Sequence, residues 1–181
     1  MVKVTQTELE GVLVLEPQIF RDSRGFFYES YNDRDYLNAG VTAQFVQDNH
    51  SGSARGVLRG LHYQVQSPQG KLIRVIAGEI FDVAVDLRKS SSSFGHWTSV
   101  VLSADNKRQL WVPEGFAHGF LVLSEFAEVL YKTTSYYAPA CERCILWNDP
   151  TLAIAWPQQT TPILSAKDQS GQSFHEAEVY P

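Results

Sequence analysis

Apolar and polar residues alternate with a period of two along much of the chain from Val12 onward, most clearly over 71–87. Here Lys71, Ile73 and Val75 share one face of a strand while Leu72, Arg74 and Ile76 share the other. Beyond Ala77-Gly78-Glu79, Phe81, Val83, Val85 and Leu87 face one way and Ile80, Asp82, Ala84 and Asp86 the other, so the stretch predicts a β-hairpin about Gly78. Further strand-like runs occupy 26–30, 45–49, 57–63, 97–102, 108–112, 119–123 and 128–134, with turn residues between most of them. Many short strands broken by turns predict a mainly β fold, a sandwich or a barrel. Helix is scarce: one short helix is predicted over Asp33–Asn38, with Asn32 as N-cap and Gly40 past its end, and another near 149–152. The strand pattern fades near Trp156, and the tail from Pro157 is predicted to wrap the body of the fold.

Composition narrows this picture. A chain of 181 residues with 44% hydrophobic content suits one domain over 1–181 with a sizeable core. The net charge of -5 offers no broad positive surface, which argues against a nucleic-acid partner. A small anionic ligand still fits, because a few converging arginines bind phosphate whatever the global charge. No apolar stretch reaches signal-peptide or membrane-span length, so a soluble, cytoplasmic protein without a membrane partner is expected. Cys141 and Cys144 form a Cys-x-x-Cys pair, but there is no second pair for structural zinc and no strand-to-helix setting for redox chemistry. The pair is read as without function.

Of five histidines, His62 and His118 lie in strand-like surroundings rich in glycine and aromatics. A strand histidine taken alone is more often a hydrogen-bonded core residue than a base. The company of His62 changes that balance: Arg59 and Lys71 are near it in sequence, and Tyr131, Lys132 and Asp168 follow in segments that a barrel brings together. Each has a bland reading, as a solvated strand end, a strand aromatic or a turn cap. Strict alternation also puts Arg59 and His62 on opposite faces, and a bulge at Gly60 is needed to bring them to one. The absence of a His-x-His pair favours a site without metal.

Four runs carry a resemblance: Asp48-Asn49-His50-Ser51, Gly56-Val57-Leu58-Arg59-Gly60-Leu61-His62-Tyr63-Gln64, Gly78-Glu79-Ile80-Phe81-Asp82-Val83, and Pro113-Glu114-Gly115-Phe116-Ala117-His118-Gly119-Phe120. In this order they resemble the dTDP-4-dehydrorhamnose 3,5-epimerases, from about Val12 to Asp168. The resemblance implies a cupin-type jelly roll that works as a homodimer, needs no metal or other cofactor, and acts on dTDP-4-keto-6-deoxy-D-glucose. It makes His62 the proton acceptor in a dyad with Asp168, Tyr131 the proton donor, and Lys71 the support for the negative oxygen. Substrate binding is implied for Arg24, Glu29, Gln47, Asp48, Asn49, Arg59, His118, Glu142 and Lys167, some of them reaching across a dimer interface.

The implied chemistry suits these side chains. A hydrogen beside a ketone is acidic because its charge spreads onto the ketone oxygen, and inversion requires removal on one face and return on the other. Histidine is a usable base near neutrality, a carboxylate fixes its tautomer, and tyrosine stays protonated as the opposing acid. Proton transfer contributes about 10² to 10⁴ in rate, so the oxygen must also be stabilised, by Lys71 first and His118 second. Arg24 and Arg59 are expected to hold the diphosphate. Three other readings stay open at this point: a single-carbon epimerase or ketoisomerase, a non-catalytic sugar-nucleotide binder, and a metal-dependent cupin.

Overall fold

A computed structural model describes residues 2–157 and 161–181. In chain order its strands are β1 Val2–Gln6, β2 Leu13–Pro17, β3 Phe20–Asp22, β4 Gly25–Phe27, β5 Gln47–Ala54, β6 Leu58–Gln64, β7 Lys71–Ala77, β8 Glu79–Asp86, β9 Trp97–Ser103, β10 Gln109–Val112, β11 Phe116–Val122, β12 Phe126–Thr133 and β13 Glu142–Cys144. Helix α1 spans Asp33–Asn38 and α2 spans Ala166–Gln169. A six-stranded sheet runs β1-β2-β10-β7-β12-β5 and a five-stranded sheet runs β13-β6-β11-β8-β9, with antiparallel pairing throughout. The two sheets face each other as a jelly roll of the cupin type.

The predicted hairpin over 71–87 is not formed. β7 pairs with β10 and β12, whereas β8 pairs with β11 and β9 in the other sheet. Gly78 turns the chain from one sheet to the other at φ +73°, and a Cβ there would lie 2.0 Å from the Phe126 carbonyl oxygen. Alternation sets which face of a strand is apolar, but it is blind to the neighbour the strand pairs with.

Three apolar layers result. Ile73 and Val75 of β7, Leu110 of β10 and Val129 of β12 meet Ile80 and Ala84 of β8, Leu102 of β9 and Phe120 of β11 between the sheets. The opposite face of β8, Val83 and Val85, packs with Leu61, Ile145, Trp156 and residues of the tail such as Phe174 and Tyr180. A third layer covers the outside of the six-stranded sheet, where Leu15, Leu72 and Trp111 pack on Tyr36 of α1 and on Val41. Full burial of a side chain of this kind contributes roughly 1.5–3 kcal/mol.

Helix α1 forms where predicted, with the Asn32 side chain accepting from the Asp35 amide and Gly40 at φ +95° beyond the end. No helix forms over 149–152. Buried Asp149 instead accepts from the Thr151 and Leu152 amides and from the Phe174 amide, so its carboxylate ties a turn to the tail. The tail predicted from Pro157 includes 158–160, outside the described residues; beyond them it bridges to β6 and β13 through Val57–Ile163 and Ile145–Gln172 contacts. The short strands β1, β3 and β13 and the helix α2 went unpredicted, being three to five residues long with little periodicity to read.

Candidate active site

His62 is placed by an irregularity in β6. Leu58 and Arg59 stand opposite Leu121 and Phe120 of β11, but His62 stands opposite His118, so Gly60 and Leu61 together face the single Gly119. This is the bulge that the positions of Arg59 and His62 demanded, and both side chains line one cavity. Only glycine fits: Gly60 has φ +132°, and a Cβ there would lie 2.5 Å from the Gly119 Cα.

The cavity, about 320 Å³, opens between the sheets. On the five-stranded side stand His62, Arg59 and His118; on the six-stranded side stand Lys71 of β7, Tyr131 of β12, and Gln47 and Asn49 of β5. Glu142 of β13 and Lys167 of α2 complete the rim.

His62 Nε2 lies 2.6 Å from Asp168 Oδ1. Asp168 does not line the cavity; it backs His62 from α2, almost fully buried. Its carboxylate also accepts from Ser165 Oγ at 2.6 Å and from the Gly60 amide at 3.3 Å. Ser165 and Asp168 form a capping box that creates the single turn of α2, so one interaction both starts the helix and aims the carboxylate. Burial favours the neutral acid, yet the hydrogen bonds from His62 and Ser165 prevail and hold the Asp168 carboxyl down at about 2. Burial pulls the His62 imidazole below its ordinary value, with Asp168 opposing only in part.

Across the cavity, burial pushes the Tyr131 phenol above 10.0, with the Arg59 charge opposing. Lys71 is buried, donates to the His62 carbonyl at 3.2 Å, and is lowered by burial to about 8. At the rim, Glu142 accepts from Lys167 at 2.7 Å and from the Tyr137 hydroxyl at 2.8 Å.

Arg24, Glu29 and Asp48 lie outside this cavity. Arg24 caps the exposed β3–β4 hairpin and pairs with Asp22, Glu29 accepts from Asn32, and Asp48 turns outward to Lys132 at 2.9 Å. Sequence reading missed Tyr137, Gln69, Ser51 and Phe120 in the lining, and two buttresses, Ser165 and Asp82. Asp82 is fully buried and lies 2.7 Å from His118 Nε2. Both buttresses left a trace: an aspartate within an otherwise apolar strand, and a Ser-x-x-Asp capping pattern. Among the described residues, one group of three metal-ligand side chains converges, His62, Cys144 and Asp168, with donor atoms within 4.8 Å of one another.

A β-barrel cavity with a carboxylate-backed histidine on one wall and a half-buried tyrosine and a buried lysine on the other has the parts that isomerases of the proton-transfer type use. The model of the dTDP-4-dehydrorhamnose 3,5-epimerase family matches residues 6–176. The chain is 59% identical over 180 residues to the dTDP-4-dehydrorhamnose 3,5-epimerase of Pseudomonas aeruginosa, covering 99% of each. A crystal structure of the Legionella pneumophila dTDP-6-deoxy-D-glucose-3,5-epimerase with dTDP-4-keto-L-rhamnose superposes with a TM-score of 0.95 at 50% identity, covering 98% of this chain and 95% of that one. The Bacillus anthracis dTDP-4-dehydrorhamnose 3,5-epimerase with TDP and PPi bound gives 0.93 at 50% identity, covering 96% and 99%. The chain belongs to the dTDP-4-dehydrorhamnose 3,5-epimerase family.

Proposed function

We propose that this protein inverts carbons 3 and 5 of dTDP-4-keto-6-deoxy-D-glucose to give dTDP-4-keto-L-rhamnose, in the biosynthesis of dTDP-L-rhamnose. The observation that carries this reading is the placement of His62 and Tyr131 on opposite sheets about one cavity. A sugar ring held between them meets a base on one face and an acid on the other, which is what inversion at carbon requires. The relatives bound to dTDP-4-keto-L-rhamnose and to TDP support the choice of ligand.

His62 keeps Nε2 toward Asp168, so Nδ1 is the nitrogen left to take the proton beside the ketone. Asp168 then stabilises the imidazolium. The electron pair moves from the broken C–H bond onto the ketone oxygen, where the Lys71 ammonium meets the charge, with His118 held by Asp82 as a second contact. Tyr131 returns a proton to the opposite face of the carbon. His62 then loses its proton to solvent and Tyr131 regains one from it, and repetition at the second carbon gives the doubly inverted product. Gln47, Asn49, Arg59, Glu142 and Lys167 position the nucleotide and sugar around this centre.

Arg24, 87% exposed in its side chain, and Glu29 fit the same reading if two chains pair and each arm completes the neighbour's site. The exposed Phe20, Phe26 and Phe27 of that arm support a partner surface. Mixing Arg24→Ala with His62→Ala protein tests this: random pairing restores about a quarter of wild-type activity if the arm works across the dimer. Activity no greater than that of the two variants measured apart would retire the crossed arrangement. The reaction itself is tested by turnover in deuterium oxide with mass spectrometry of the product. Two deuterons per sugar are expected; one would reduce the assignment to a single epimerisation, and none would reduce it to binding.

A further inference from the structure

We propose that His62, Cys144 and Asp168 form a binding site for a thiophilic divalent cation of the zinc class, and that an ion held there switches the base off; the second half rests on the reading of His62 as the base. The three residues come from distant parts of the chain. Cys144 of β13 stands directly opposite His62 of β6, which places both side chains on one face of the sheet, and Asp168 arrives from α2. Their donor atoms lie within 4.8 Å of one another. Among the described residues the thiol reaches the Gly60 carbonyl at 3.8 Å and that of Ile145 at 3.6 Å, and its sulfur faces the Leu61 amide. The charges facing the spot are mixed: Asp168 and Glu142 favour a cation there, while Lys167 and Lys71 oppose it.

Imidazole, thiolate and carboxylate are the zinc ligand types, and three protein ligands with a water in the fourth position make a common zinc geometry. Around a tetrahedral ion, nitrogen and oxygen donors sit roughly 3.4 Å apart. The His62–Asp168 pair, now at 2.6 Å, therefore opens by roughly 0.8 Å as the thiol closes in. Of the three residues His62 lines the cavity, and Cys144 and Asp168 stand behind it.

An uncoordinated thiol carries its proton at neutral pH, so the resting site holds no anionic sulfur. A coordinated thiol gives up its proton, which leaves to solvent. The imidazole hydrogen leaves Nε2, whose lone pair binds the ion, and sits on Nδ1 instead. One proton is released per ion, and Nδ1 no longer has the lone pair that proton abstraction needs. Asp168 exchanges one hydrogen bond for a metal bond and keeps those from Ser165. No oxidation or reduction takes part.

Cobalt(II) titrated into chelator-treated protein is the test. One cobalt per chain should bring a near-ultraviolet thiolate-to-cobalt absorption that zinc displaces. It should persist in Cys141→Ser and vanish in Cys144→Ser, and the apparent Kd should fall about tenfold per pH unit as one proton leaves. Zinc should inhibit turnover of the wild type, and Cys144→Ser should keep its basal turnover while needing at least about tenfold more zinc. No such absorption in the wild type, or one that survives Cys144→Ser, overturns the site and leaves the base assignment untouched. Cobalt bound with that signature while zinc leaves turnover unchanged overturns the inhibitory half and with it the reading of His62 as the base.

Discussion

The two walls of the cavity hold their titratable groups by opposite means. On the five-stranded side, His62 is backed by a carboxylate that hydrogen bonds from His62, the Ser165 hydroxyl and amide, and the Gly60 amide hold ionised. On the six-stranded side, Tyr131 and Lys71 have no carboxylate within hydrogen-bond reach among the described residues, and burial is the largest influence on their state, with the Arg59 charge opposing it at Tyr131 and Glu142 and Asp82 opposing it at Lys71. Burial pushes all three groups toward their neutral forms. For tyrosine that is the form an acid needs, so no partner is required. For histidine it yields a free base, and in the proposed mechanism the imidazolium formed after abstraction needs the support that Asp168 is placed to give. For lysine burial works against the proposed role, in which the ammonium is the useful form; at about 8 it persists through neutral pH and little further.

This contrast is open to direct attack. The largest effect is expected from His62→Ala, which should lower kcat on the order of 10⁴-fold while dTDP affinity, measured by calorimetry, changes little. Lys71→Met should lower kcat by about 10² to 10³, the cost of one oxyanion donor. It should also remove the alkaline limb of kcat/KM, which in the wild type is expected near pH 8 where Lys71 loses its proton. Wild-type kcat/KM that stays flat to pH 10 would deny Lys71 a charged role. Tyr131→Phe is expected to cost about 10² in formation of the inverted product yet still exchange sugar hydrogens with solvent, because the base side is intact. Loss of exchange as well, seen by mass spectrometry, would move Tyr131 to a different task.

Asp168→Asn is the mildest and the most specific. The carboxylate raises the His62 pKa against the larger effect of burial, so its removal lets that pKa fall further. The acid limb of kcat/KM, expected below 6.5 in the wild type, should move to still lower pH as kcat drops roughly tenfold to a hundredfold. A limb that moves upward contradicts the dyad. The same carboxylate affects stability: with its folded pKa depressed to about 2, its contribution is present above 3.8 and is lost as pH falls from 3.8 toward 2. Asp168→Asn should therefore flatten the acid denaturation profile across that window.

Much of the geometry of this cavity is legible in the sequence. The bulge at Gly60 followed from two side chains three residues apart that had to share a pocket, and the register of β6 on β11 contains it. The faces of β7 and β8 were also correct, yet the hairpin was not. A strand with an apolar face satisfies alternation against any neighbour, and the choice between the Gly78 hairpin and a crossing to the other sheet depends on what β10 and β11 offer from later in the chain. The same limit hid the destination of the most apolar face of β8. Phe81, Val83 and Val85 turn outward under the tail, while Ile80, Asp82 and Ala84 point between the sheets. Asp82 then reads as what it is, a buried carboxylate that holds His118.

The sequence by itself determined the chemical parts: a β-rich chain with short strands, the glycines that permit close backbone approach, and the motifs around His62 and His118. Such properties are local, and periodicity and side-chain chemistry report them within a few residues. Tertiary structure decided which wall each part occupies. It set Tyr131 across from His62 instead of beside it, brought Asp168 from a single helical turn 106 residues away to within 2.6 Å of the imidazole, and delivered Cys144 to the same spot from an edge strand. Those meetings depend on burial between two sheets that are complete only when both ends of the chain are in place, and no local pattern carries that information.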